Sequence, residues 1–68
     1  MTLFEMKEKI FSLENERKTI ADYINEKAAD PNTKIEEIEE KQKKVDELTK
    51  RIDILQKSHD VEEKRQKL

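Results

Sequence analysis

The stretch Asn25–Glu40, "NEKAADPNTKIEEIEE", interrupts a chain that otherwise has the residue pattern of continuous helix. It contains Pro31, the single proline, which disfavours helical geometry at the preceding residue and cannot donate a backbone hydrogen bond. Asn32 and Thr33, which follow, are typical of a turn and a helix N-cap. Two helices joined by about four residues favour an antiparallel hairpin. A kinked rod whose helices pair with other chains stays open as an alternative, because no glycine follows the first helix to form a left-handed C-cap.

Helix-start signals lie on both sides of this break. Thr2 with Glu5, and Thr33 with Glu36, have the spacing of a capping box, in which the two residues satisfy each other's backbone donors. We therefore predict helix 1 over residues 3–29, a turn over 30–33 and helix 2 over 34–66. The expected fold is all-α, a single domain over residues 1–68 with two long helices in a hairpin or coiled coil, and oligomeric. The early capping box favours a true N-terminus, whereas the lack of a stop signal at the end favours a piece of a longer protein.

Apolar residues recur at alternating spacings of three and four along both predicted helices, which indicates a coiled-coil seam. This seam, interpreted as the core and self-association surface, comprises Leu3, Met6, Ile10, Leu13, Ile20 and Ile24 on helix 1 and Ile38, Val45, Leu48, Ile52 and Leu55 on helix 2. His59 continues it, and Arg17, Lys27 and Lys41 interrupt it. Such polar residues either select register and oligomeric state or lie where the helices diverge and the side chains reach water.

Apolar residues also repeat outside the seam. Phe4 and Phe11 form a second stripe on helix 1, which a strict two-helix pairing does not need, and we interpret them as a partner face. Ile54, Val61 and Leu68 recur every seven residues on another face of helix 2. The polar faces carry acid-first pairs at i,i+4, each of which supports a helix by about 0.2–0.5 kcal/mol. These pairs are Glu5–Lys9, Glu14–Lys18, Glu37–Lys41, Glu40–Lys44, Glu47–Arg51, Asp53–Lys57 and Asp60–Lys64.

The composition limits what one copy can bury. Of 68 residues, 32% are apolar and 47% charged, and there is no cysteine for a disulfide or thiolate metal site. Association with other chains is the remaining source of stability. The net charge is −2, with acidic and basic residues balanced in both halves, which gives no support for direct nucleic-acid binding. There is no membrane-spanning run and no signal-peptide core, so we expect a soluble, cytosolic chain that does not contact membranes.

Catalytic and metal-binding patterns are weak. Ser58-His59-Asp60 lists the members of a hydrolase triad, but consecutive helical residues point about 100° apart and cannot form the required chain. His59 with Glu62 or Glu63 supplies too few ligands for a metal site. Without glycine there is no phosphate-binding loop. We therefore expect no enzyme activity, no cofactor and no metal.

Two stretches, Leu3–Ile10 "LFEMKEKI" and Ile24–Asp60 "INEKAADPNTKIEEIEEKQKKVDELTKRIDILQKSHD", resemble the start of tailed-bacteriophage major capsid proteins of the HK-type fold. The resemblance covers nearly the whole chain and contains no catalytic signature. It implies a scaffolding (delta) domain that lies inside the procapsid in the host cytoplasm, clusters with copies on neighbouring subunits and guides shell assembly. The partners it implies are the chain itself, capsid subunits, the portal and a maturation protease. This chain departs from the family because it has no shell domain.

Competing functions remain open at this level. One is an adaptor that docks an unrelated partner through the Phe4 and Phe11 face. A regulatory subunit and a nucleic-acid packaging role are weaker alternatives, and salt-dependent binding would test the latter.

Overall fold

The computed structural model describes residues 1–67, which form two α-helices, α1 (Leu3–Lys27) and α2 (Ile35–Gln66). The helices pack against each other along a body that measures 56 × 14 × 14 Å. Their direction is antiparallel, because Arg17 contacts Thr49 whereas Tyr23, nearer the turn, contacts Glu37. The predicted all-α hairpin is confirmed, and the kinked rod is excluded.

The start of α1 follows the predicted capping box. The Thr2 hydroxyl accepts from the Glu5 amide at 3.1 Å, and the Glu5 carboxylate accepts from the Thr2 amide at 3.2 Å. The helix ends at Lys27, two residues before the predicted end. Ala28 keeps right-handed geometry, and its amide donates to the Ile24 carbonyl at 2.8 Å. No residue among 1–67 has a positive φ, so α1 ends without the left-handed residue that glycine would have supplied.

The chain reverses through side-chain and backbone contacts of Asp30. Its carboxylate accepts from the Asn32 amide at 2.9 Å, and its carbonyl accepts from the Thr33 amide at 3.1 Å. An aspartate that bonds the amide two residues on forms an Asx-turn, which stabilises a tight change of direction. The whole connection covers residues 28–34 and is longer than the predicted turn.

The predicted second capping box is wrong. The N-cap of α2 is Lys34 rather than Thr33, and its side chain makes no capping hydrogen bond. The physical reason is that the Thr33 backbone closes the turn onto Asp30, so the first helical carbonyl is that of Lys34, which accepts from the Glu37 and Ile38 amides. Glu36 lies with Glu37 in the first turn, where negative charge is favourable to the helix dipole.

The hydrophobic core is one thin layer between the helices. Ile10 and Leu13 of α1 pack with Leu48 and Ile52 of α2, and Leu48 is the most buried at 1% exposure. Partly buried Ile20 and Leu55 extend this cluster along the seam. A hairpin has no third element to cover its outer faces, so this seam is the only layer that two helices can bury between them.

Candidate functional site

The predicted seam residues lie along the interface between α1 and α2. Ile10, Leu13, Leu48 and Ile52 are buried. The other seven are half-buried: Leu3, Met6, Ile20, Ile24, Ile38, Val45 and Leu55. The seam is therefore used within one chain. Contact between copies has to use other surfaces, or the hairpin has to open.

A polar contact crosses the seam beside this core. The Arg17 guanidinium donates to the Thr49 hydroxyl at 3.2 Å, and that hydroxyl donates to the Val45 carbonyl at 3.0 Å. Both Arg17 and Thr49 are half-buried. This directional contact fits one alignment of the helices, which favours the register-selecting interpretation of Arg17.

A second polar cluster lies nearer the turn. The Tyr23 hydroxyl donates to the Glu37 carboxylate at 3.3 Å, and the Lys41 ammonium lies 5.4 Å from the centre of the Tyr23 ring, within the range of a cation–π contact. Partial desolvation and the nearby Glu37 charge raise the pKa of Tyr23. Lys41 is exposed and Lys27 half-buried, so Lys41 fits the alternative in which a seam lysine reaches water.

His59 is the buried polar residue of the hairpin, with 4% exposure. Its Nδ1 lies 3.2 Å from an oxygen of Asp60, and its Nε2 has no hydrogen-bond partner among residues 1–67. The hydrogen bond from His59, aided by one from Gln56, lowers the pKa of Asp60. A contact between neighbouring helical residues was not expected from the sequence, but it requires only that the short Asp60 side chain bend back.

The arrangement around His59 does not form a hydrolytic site. Ser58 is exposed whereas the His59 ring is buried, and within residues 1–67 no hydrogen bond joins the two side chains. In the same residues, no group of three or more His, Asp or Glu side chains is placed to hold a metal ion.

Two pairs of exposed apolar residues repeat at a spacing of seven, here called the phenylalanine edge (Phe4 and Phe11) and the aliphatic edge (Ile54 and Val61), while Met1 and Ile35 are also exposed. The exposures of the four edge residues are 70% and 66% on α1 and 65% and 66% on α2. Leu68, predicted to extend the aliphatic edge, lies outside the described residues. Residues seven apart on one helix share a face, so each pair presents two apolar side chains along one strip, with polar residues between them.

The two edges lie on opposite sides of the hairpin. Ile54 borders a groove that Lys9 and Glu16 line from α1. The groove on the other side is lined from α1 by Ala21, Ile24 and Asn25. Asn25 follows Phe11 by fourteen residues, or two heptads, so the two residues lie on the same side of α1. The phenylalanine edge therefore runs along the side of this second groove.

Charges next to the two edges differ in sign. The positions three and four residues from Ile54 and Val61 are basic except for Ser58: Lys50, Arg51, Lys57, Lys64 and Arg65. The corresponding positions around Phe4 and Phe11 are Met1, Lys7, Glu8, Glu14 and Asn15, with one more acid than base. The aliphatic edge is thus framed by positive charge, and the phenylalanine edge is weakly acidic.

Of the seven predicted i,i+4 ion pairs, Glu47–Arg51 forms, with a 3.1 Å separation. Three of the other acids bind different partners: Glu5 caps α1, Glu37 accepts from Tyr23 and Asp60 contacts His59. Further pairs, Glu62–Arg65 at 2.9 Å and Glu63–Lys67 at 3.7 Å, were not predicted. All of these pairs are exposed or half-exposed, so they contribute little to stability.

Neither helix, within residues 1–67, is apolar enough over a sufficient length to cross a bilayer. No protein-family model matches the chain, and no curated protein and no solved structure is significantly similar to it.

Proposed function

We propose that the chain is a structural assembly module, a helical scaffolding domain of a phage major capsid protein that self-associates inside the procapsid and directs shell assembly. The specific role rests on the resemblance of Leu3–Ile10 and Ile24–Asp60 to the scaffolding region of HK-type capsid proteins. The general role, weak self-association, is supported by the surface of the hairpin.

The observation that carries the proposal is an excess of exposed surface. The chain exposes 5602 Å², whereas a compact monomer of 8.2 kDa exposes about 4,500 Å². An elongated hairpin has too few layers to cover its outer faces, and six large apolar side chains among residues 1–67 remain about two-thirds exposed, four of them in the two edges. Exposed apolar side chains that share one helix face favour contact with other protein surfaces.

The weakness of such contacts suits a scaffold. Shell assembly requires reversible contacts so that wrongly placed subunits can dissociate. Two small apolar strips give low affinity for each copy. When many copies are fixed to neighbouring shell subunits, their effective concentration rises and the weak contacts act together.

A fusion protein tests the scaffolding role. The chain is joined to the N-terminus of an HK-type shell domain whose own scaffolding region has been removed, and the products are examined by electron microscopy. We expect closed shells of uniform size. The same fusion carrying Leu48→Asp, which destroys the core, serves as the matched control and should give no closed shells. Unassembled subunits or irregular aggregates from the unaltered fusion would contradict the scaffolding role.

The exposed phenylalanine edge supports a second candidate function, an adaptor that binds an unrelated partner. It differs from the first in the behaviour of the isolated chain. An adaptor stays monomeric at high concentration with both edges exposed, whereas a scaffolding module associates.

A further inference from the structure

We infer that copies of this chain associate side by side and in the same direction, with the phenylalanine edge of one hairpin against the aliphatic edge of the next. This inference rests on the proposed function and specifies which surfaces meet. The occupant of each edge is a second copy of this chain.

The two edges lie at overlapping heights on the hairpin. Counted from the Arg17–Thr49 contact, Phe11 is level with residue 55, and counted from the Tyr23–Glu37 contact it is level with residue 49. The average of the two contacts places Phe11 level with residue 52 and Phe4 level with residue 59, each two residues from the nearest aliphatic side chain, Ile54 or Val61. The two strips are therefore offset by about 3 Å along the hairpin and overlap over most of their length.

The two strips also match in length. Each strip has two apolar side chains seven residues apart, a separation of about 10.5 Å along a helix axis. When one hairpin is displaced sideways without being inverted, with a shift of about 3 Å along its length, both of its aromatic rings meet both aliphatic side chains of its neighbour. Because the edges lie on opposite sides, each copy can use both at once.

The charges around the two edges are complementary. Five basic side chains surround the aliphatic edge, of which Arg51 and Arg65 form ion pairs with Glu47 and Glu62 and the three lysines do not, while Glu8 and Glu14 outnumber Lys7 beside the phenylalanine edge. Pairing unlike edges brings the Glu8 and Glu14 carboxylates near these basic side chains, whereas two aliphatic edges in contact would repel each other. Complementary charges around a small apolar patch favour one pairing over its competitors.

Contacts between unlike surfaces repeat from copy to copy. If the rotation from one copy to the next returns to the first copy after a whole number of steps, the copies form a ring; otherwise they form an open row. Fully burying one phenylalanine covers about 150–250 Å², so each contact is smaller than the 1,200–2,000 Å² of a stable complex. We expect dissociation constants on the order of 1 mM for a single contact.

Two edge variants test this arrangement. Phe4→Gln with Phe11→Gln removes the phenylalanine edge, and Ile54→Gln with Val61→Gln removes the aliphatic edge. Both replace exposed side chains, so far-UV circular dichroism should report unchanged helicity. The matched control, Ser12→Gln with Thr19→Gln, changes two exposed residues of α1 with the same spacing outside both edges.

Sedimentation equilibrium at millimolar concentration reads out the result. The unaltered chain and the control should form dimers and larger species, and each edge variant alone should be a monomer. An equimolar mixture of the two edge variants should form dimers that grow no further, because each variant supplies the edge the other lacks.

Other outcomes overturn the inference. If the variant without the aliphatic edge still associates alone, two phenylalanine edges meet each other. Association of the variant without the phenylalanine edge, or a mixture that stays monomeric while the unaltered chain associates, also contradicts the pairing of unlike edges. Those results leave self-association intact. A monomeric unaltered chain at millimolar concentration contradicts the proposed function as well.

Discussion

The seam residues pack differently at the open end of the hairpin and at the end nearer the turn. The middle and the open end of the hairpin hold the buried residues Ile10, Leu13, Leu48 and Ile52, with Leu48 near mid-length, and the open end also holds the buried His59 and both exposed edges. Toward the turn, Ile24 and Ile38 are half-buried, and polar contacts of Tyr23 supplement them. The open end thus holds more apolar side chains than one interface can cover. The comparison indicates that the turn end keeps the hairpin closed and aligned, while the open end supplies both the core and the surfaces for other copies.

The largest difference between the two ends should appear on truncation of a seam residue. Leu48→Ala removes a side chain with 1% exposure and should lower the free energy of unfolding by about 2–5 kcal/mol. Ile38→Ala, at a half-buried position near the turn, should cost about 1 kcal/mol because much of its side chain already contacts water. Urea unfolding followed by circular dichroism at micromolar concentration measures both. Equal losses would contradict the division into a buried and a loosely packed end.

The buried histidine should be a weak point of the open end. His59→Leu replaces a ring whose Nε2 lacks a partner among residues 1–67, so we expect the free energy of unfolding to rise by about 1 kcal/mol. The lost hydrogen bond to exposed Asp60 offsets little of this gain. His59→Gln, which keeps a polar group at the site, should not stabilise the protein. A marked destabilisation by leucine in the urea titration would indicate that the imidazole is needed in the core.

The hydrogen bond between Arg17 and Thr49 should contribute less free energy than the buried apolar residues do. A double-mutant cycle of Arg17→Ala and Thr49→Ala should give about 0.5–1 kcal/mol of interaction free energy, typical of one partly exposed hydrogen bond. The matched control is a double-mutant cycle of Arg17→Ala and Lys18→Ala, because Lys18 is exposed and faces away from the seam. Additive effects in the first cycle would mean that Arg17 does not fix the helix alignment.

Lowering the pH should reduce the stability of the folded hairpin slightly, mainly through carboxylates near the helix ends. Hydrogen bonds from Thr2 lower the pKa of Glu5, and those from Arg65 and Gln66 lower the pKa of Glu62, as His59 does for Asp60. A carboxylate with a lower pKa in the folded state stabilises it above its unfolded pKa and loses this effect as pH falls through the folded value. Stability should therefore decline below about pH 4.5. Thr2→Ala should weaken that decline, and an unchanged pH profile would contradict the role of the cap.

The sequence predicts the architecture well because local rules and periodicity agree. The capping box at Thr2, the break at Pro31 and the spacing of the seam all lead to the observed hairpin. The predicted start of α2 was wrong because the Thr33 amide, which a capping box would give to the Glu36 carboxylate, donates to the Asp30 carbonyl, and spacing alone does not decide which contact forms. Six predicted ion pairs do not form among residues 1–67, since carboxylates such as Glu5 and Glu37 have better donors nearby.

Surface relationships needed the three-dimensional structure. A heptad pattern identifies the seam residues but not that Leu48 is buried while Ile38 is half-exposed. Phe4 and Phe11 could be singled out from the sequence, and so could the repeat of Ile54 and Val61. Their overlapping heights on opposite sides depend on the helix alignment, which the Arg17–Thr49 and Tyr23–Glu37 contacts define.

The central claim is that the hairpin, once closed, still associates through its outer edges. Sedimentation equilibrium of the unaltered chain from micromolar to millimolar concentration, with helicity recorded at each step, tests it. We predict that the average mass rises with concentration while helicity stays nearly constant, because closed hairpins join through their edges. A constant monomer mass would contradict self-association, and a mass that rises only together with helicity would mean that association and folding are one process, through an opened seam.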